Sequence, residues 1–157
     1  SFFSQGTVES LTEAQLRFRD FSNRYPNDPN RPYALLMLGK CSMEQAKGPL
    51  RDLTPVREAA TSFKAVVEQF RESPFTAEAR DLLAQCNETL AEHELQIARY
   101  YLNVHAPDGA RMRVDYLLEN FPGTAAAGRA AALLEEIEAA KRLSSPPSAS
   151  GGGSNEP

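Results

Sequence analysis

The sequence predicts an all-α chain built of paired antiparallel helices that repeat. Two observations carry this. A small-large-large pattern followed by a stop recurs three times, and one stretch of nearly thirty residues contains no helix breaker. The first copy runs Ala14, Phe18, Phe21, Pro26, with Tyr25 before the proline. The second runs Ala59, Phe63, Val66, Phe70, with Arg71 in the proline's place. The last runs Ala110, Val114, Leu117, Pro122, with Phe121 before the proline. Residues at i, i+4 and i+7 share one face of a helix, and a following proline ends that helix and sets a turn.

The elements follow in chain order. Residues 1–5 read as the tail of an earlier helix, and 11–25 as the first complete one. Asn27-Asp28-Pro29-Asn30 is a turn, since these residue types satisfy tight backbone geometry locally. A helix is expected over 31–47. Gly48 to Thr54 is a loop, after which Thr54 as N-cap and Pro55 at the first helical position open a helix to about Arg71. Ser73-Pro74 breaks the chain. The unbroken stretch from Thr76 to about Val104 predicts one helix of about 29 residues, or about 44 Å. Ala106-Pro107-Asp108-Gly109 is expected as a turn before a helix over 110–121, and Thr124 as the cap of an alanine-rich helix ending near Leu143. The remainder, 144–157, is rich in Ser, Pro and Gly and cannot bury enough apolar surface to order itself.

The repeated pattern matches the second helix of a tetratricopeptide repeat. Its first helix carries W-x2-L-G-x2-Y, and Leu35, Leu38, Gly39 and Ser42 occupy that spacing. Gly39 costs about 1 kcal/mol relative to Ala inside a helix, so a close helix approach must compensate. The copies lie 45 and 51 residues apart rather than 34, because the 48–54 loop and the long helix add length. The reading is a tetratricopeptide-like domain over 1–143, forming a short superhelix, with a low-complexity tail over 144–157. Ala14, Phe18, Phe21, Ala59, Phe63, Val66, Ala110, Val114 and Leu117 are the expected core.

Composition narrows the function classes. With 17 Lys+Arg against 21 Asp+Glu the net charge is −4, which argues against nucleic acid as the main partner. No apolar run approaches the ~20 residues of a membrane span. The chain opens on Ser1 with no signal peptide or lipidation signal, which reads residue 1 as a cut end. No phosphate-binding, dinucleotide, nucleophile-elbow or zinc motif is present. His93 and His105 are twelve apart, so they do not share a helical metal site, and neighbouring Glu92, His93 and Glu94 point in different directions. The reading is of a chain with no catalytic residues, no cofactor and no metal. Cys41 and Cys86 read as buried thiols; a disulfide would need their Cα atoms within about 7 Å. Arg99, Tyr100, Arg111 and Arg113 gather around the turn after the long helix. Arginine and tyrosine are enriched at interfaces, which makes this turn the candidate partner surface, with Arg51 and Asp52 of the 48–54 loop next.

Three segments carry a family resemblance: Arg51-Asp52-x-Thr54-Pro55; Leu90-Ala91-x-His93-Glu94-Leu95-x-x-Ala98-Arg99-Tyr100-Tyr101-Leu102; and Arg113-Val114-x-Tyr116 followed by Phe121-Pro122-Gly123-Thr124. Over about residues 1–140 the chain resembles the BamD family (also called YfiO or ComL), lipoproteins of the outer-membrane β-barrel assembly machinery. Relative to that family the lipidated N-terminal Cys and first repeat are missing, and Ala106–Gly109 replaces the usual turn. The resemblance implies a non-enzymatic periplasmic scaffold on the outer membrane of a Gram-negative bacterium, held there in the full-length protein only by its lipid anchor. It implies binding to the membrane-proximal POTRA domain of the barrel protein BamA, contact with other lipoproteins of the machinery, and recognition of unfolded barrel substrates. Arg113 falls at the family's basic position facing the POTRA partner. The alternative is another periplasmic repeat protein, of the Tol-Pal-associated type, which would show regular repeats near 36 residues and no continuous long helix. An enzyme would instead show a deep cleft with convergent acids.

Overall fold

The structure, a computed structural model, describes residues 8–47 and 52–145. The expected helix tail over 1–5, Arg51 with the first part of its loop, and residues 146–157 of the tail lie outside them. Six helices follow in order: α1 (Val8–Arg24), α2 (Arg31–Ala46), α3 (Thr54–Gln69), α4 (Thr76–Asn103), α5 (Pro107–Asn120) and α6 (Ala125–Ser144). No strand occurs among the described residues. The fold is all-α with tetratricopeptide-like helical hairpins, and α4 is one continuous helix of 28 residues. The chain divides into two compact units within α4, between His93 and Glu94.

In the first unit, α2 packs against both α1 and α3. Its buried face carries Ala34, Leu35, Leu36, Leu38 and Cys41, against Val56, Ala59, Phe63 and Val66 of α3. Gly39 supplies the close approach expected of it. A Cβ built there would stand 2.7 Å from Cζ and 2.9 Å from Cδ1 of Phe63, and nearer still to Cε1. Ser42, where the repeat template has Tyr, is buried for a polar reason. Its hydroxyl donates to the Leu38 carbonyl and accepts from Gln15 Nε2 at 2.9 Å, while Gln15 Oε1 accepts from Gln45 Nε2 at 2.9 Å. Buried polar groups of this kind need such partners.

Arg31 joins three segments. Its Nε donates to the Ser22 carbonyl at 3.1 Å, its Nη1 donates to Gln69 Oε1 at 2.9 Å, and its guanidinium lies 5.6 Å from the centre of the Phe70 ring. Lys40 pairs with Glu78, and the Thr76 hydroxyl donates to the Phe70 carbonyl, so the start of α4 is tied to α2 and to the end of α3.

In the second unit, α5 packs on α6. Ala110, Val114 and Leu117 are fully buried, together with Ala126, Ala130 and Ile137 of α6. Thr124 caps α6 as expected: its Oγ1 accepts from Ala127 N–H at 3.1 Å, satisfying a donor that the helix itself leaves open.

Several expectations are corrected. Helix α1 starts at Val8 rather than residue 11. Leu53, not Thr54, is the N-cap of α3, because the Asp52 carboxylate accepts the Thr54 N–H at 2.9 Å and draws Thr54 into the first turn. Helix α5 starts at Pro107, not 110. The turn is therefore shorter than expected; His105 sits in it at φ 59°, and Pro107, which has no N–H to satisfy, opens the helix. Phe18 and Phe21 are only half-buried. Together with Tyr33 and Ala34 they line an apolar groove of about 330 Å³, since the described helix packed along α1 is α2. The other seven expected core residues are buried.

Candidate functional site

The site builds up from the last turns of α4 and the first turns of α5. Gly109 stands in the first turn of α5, where a Cβ would lie 2.8 Å from Cδ1 and 3.0 Å from Cε1 of Tyr101. With no side chain at 109, the backbone of α5 approaches the Tyr101 ring. Beyond that contact a groove of about 350 Å³ opens, lined by Tyr101, Gly109, Met112, Arg113 and Tyr116. Met112 is 73% exposed and Tyr116 48%. They stand at i and i+4, so they form one strip on the side of α5 away from its buried Val114 and Leu117.

Electrostatics set the character of this groove. Arg113 Nη1 donates to Glu94 Oε2 at 3.0 Å, and Glu94 is only 6% exposed. Glu94 sits on α4 within the stripe of Leu90, Ala91, Leu95 and Ala98, all buried. A carboxylate there needs a charged partner, and Arg113 is that partner. Arg111 is two residues away and points elsewhere. Its Nε donates to both Asp115 carboxylate oxygens, at 2.9 and 3.1 Å, and its Nη1 to Glu138 of α6 at 3.0 Å. The Asp115 hydrogen bond, with the Asp115 and Glu138 charges, pushes the Arg111 guanidinium above its already high range. Lys141 pairs with Asp108 at 2.9 Å, so two ion pairs join α5 to α6.

The structure thus separates the sequence-predicted residues. Arg113 lines the groove. Tyr100, 61% exposed, leans on Tyr101 with ring centres 6.0 Å apart. Arg99 is exposed on the same turns of α4. Arg111 is engaged between α5 and α6. Asp52 is exposed in the first unit; the Thr54 N–H and hydroxyl, which hydrogen-bond its carboxylate, hold it below the usual carboxylate range. Arg51 lies outside the described residues. Sequence reasoning missed Met112, Tyr116 and Glu94. The signals were two large side chains off the repeat's buried face, and an acid inside an apolar stripe. No group of three or more His, Cys, Asp or Glu able to hold a metal occurs among the described residues. Cys41 and Cys86 are free and buried; burial pushes both thiols up, Cys86 to about 11.

The profile of the YfiO family, described as outer membrane lipoprotein, matches residues 4–150. The chain belongs to this family. Among curated proteins it is similar to the outer membrane protein assembly factor BamD of Pasteurella multocida, 26% identical over 156 residues, covering 87% of this chain and 60% of the relative. The BamD of Haemophilus influenzae is 27% identical over 139 residues, covering 82% of this chain and 53% of the relative. A BamD of Xylella fastidiosa is 28% identical over 126 residues, covering 74% and 43%. The chain therefore spans about half the length of the curated relatives it matches. No described helix is long and apolar enough to cross a membrane.

Proposed function

We propose that this chain is the repeat domain, over residues 1–143, of a non-enzymatic scaffold subunit of the outer-membrane β-barrel assembly machinery, acting on the periplasmic face of the outer membrane. Its docking surface is the α4–α5 groove, and the occupant is the membrane-proximal POTRA domain of the barrel-assembly protein. Other lipoproteins of the machinery and unfolded outer-membrane proteins are its further partners. The observation that carries the reading is the groove itself. Methionine, tyrosine and arginine, the residue types enriched at interfaces, are exposed together there beside the close approach of Gly109 to the Tyr101 ring. The family membership and the names of the relatives supply the system in which it works.

Arg113, Tyr100 and Arg99 are the proposed partner contacts, with Met112 and Tyr116 as apolar anchors. Arg111, Arg51 and Asp52 stay secondary. The test is titration of the purified POTRA domain into this chain by calorimetry. Tyr116→Ala and Met112→Asp should each weaken binding at least tenfold, about 1.4 kcal/mol, with helicity unchanged. Equal affinity in both variants would move the interface off this groove.

A further inference from the structure

Within the second unit, the buried carboxylate among the described residues is Glu94, and it holds the groove's own cation, Arg113. Arg113 gives Nη1 to Glu94 at 3.0 Å while its side chain stays 40% exposed and lines the groove. One edge of the guanidinium is thus tied inward. The rest of this planar fork has further N–H donors suited to a second carboxylate.

We propose that Glu94 sets the affinity of this groove for an acidic side chain of the partner, by holding Arg113 in place and lowering the positive potential it presents. The inference rests on the reading of the groove as the POTRA docking surface, and it adds a residue that touches no partner. A carboxylate that reaches Arg113 from the groove completes an arrangement of two anions on one cation. Glu94 is 8% exposed at its side chain, so water screens its repulsion of the newcomer weakly. The pair makes docking selective for an occupant that also fills the apolar strip of Met112 and Tyr116, since charge alone meets a cation already half neutralised. A role in folding alone would leave affinity untouched. A limiter of affinity requires that removing the Glu94 charge tighten binding.

Two measurements on the full chain test this. The first needs no partner: phenylglyoxal adds at the guanidine nitrogens, and Glu94 occupies Nη1 of Arg113. In Glu94→Gln, similar in size and still able to accept a hydrogen bond, modification of Arg113 read by mass spectrometry should quicken at least threefold relative to Arg99 in the same molecule. The second is titration with the purified POTRA domain at low salt, where Glu94→Gln should bind at least threefold tighter than the parent chain. Glu94→Met, apolar and of similar volume, serves both arms if Glu94→Gln loses helicity. An unchanged Arg113 rate overturns the inference at its root. A faster rate with equal or weaker POTRA binding overturns the claim on affinity. A faster rate with no POTRA binding even by the parent chain refutes the partner reading while supporting Glu94's hold on Arg113.

Discussion

Replacing Gly39 by alanine pits two known effects against each other, and the geometry decides between them. Alanine is favoured over glycine inside a helix by about 1 kcal/mol, so in open surroundings the substitution stabilises. At position 39 the new methyl would stand 2.7 Å from Cζ and 2.9 Å from Cδ1 of Phe63, whose ring is fully buried and has no room to yield. Overpacking a close-packed site costs about 1–3 kcal/mol, and a contact this short belongs at the upper end. The net expectation is a loss of about 1–2 kcal/mol, the difference of those terms. Gly128, on α6 with nothing within 4 Å of a built Cβ, is the control: Gly128→Ala should gain up to about 1 kcal/mol. Urea unfolding followed by circular dichroism reads both. The double variant Gly39→Ala/Phe63→Leu should lose less than the sum of its parts by at least about 0.5 kcal/mol, because the smaller side chain makes way for the methyl. Gly39→Ala that stabilises as much as Gly128→Ala would refute the reasoning and the α2–α3 register with it.

Arg113→Glu places a second carboxylate against buried Glu94. It should lower stability by about 2–3 kcal/mol, below the full cost of an orphaned buried charge because Arg113 is partly exposed; an unchanged urea midpoint would deny the pair. Cys86 should resist iodoacetamide at pH 8 in the folded chain and react once unfolded. Its folded thiol titrates at about 11 against an ordinary 9.0, so the folded state binds more protons between those values. The contribution of Cys86 to stability is therefore present below pH 9 and falls as pH rises toward 11, which a pH series of unfolding midpoints on Cys86→Ser and the parent chain would show. Asp52→Ala should speed hydrogen exchange at the Thr54 amide. In the parent chain the same bond, whose carboxylate is held below its ordinary value, should be present above pH 4 and be lost as pH falls through the folded value.

Much of the fold was legible because the signals are local. Ala59, Phe63 and Val66 repeat the spacing of Ala110, Val114 and Leu117, and such periodicity needs no knowledge of neighbours. Thr124 announced its helix by residue type alone. Boundaries were harder where two signals overlapped: Ala106-Pro107-Asp108-Gly109 reads equally as a turn or as a proline-led helix start, and only the contact of Gly109 with Tyr101 decides. Phe18 and Phe21 match the template and yet stay half-buried, because burial depends on what packs from outside the element. At the candidate site the sequence pointed to Arg111 and Arg113 as one cluster. Two residues apart on a helix, they face opposite ways, one toward Glu138 and one toward Glu94. The acids on other helices that engage them lie 27 and 19 residues distant, beyond the reach of any local pattern; the i,i+4 contact of Arg111 with Asp115 is the local one.

Arg31 has a consequence for what evolution is free to change in the first unit. Its contacts with Ser22, Gln69 and Phe70 demand three different directions from one rigid plane. The plane therefore works as a gauge: it fixes the end of α1 and the end of α3 at set distances from the start of α2, whatever residues fill the turns between them. A lysine would preserve the charge and lose the measurement, since a single ammonium on a flexible stem has no fixed fork. The linker residues between those contacts, 25–30 and 71–74, are thereby relieved of setting the helix register by themselves.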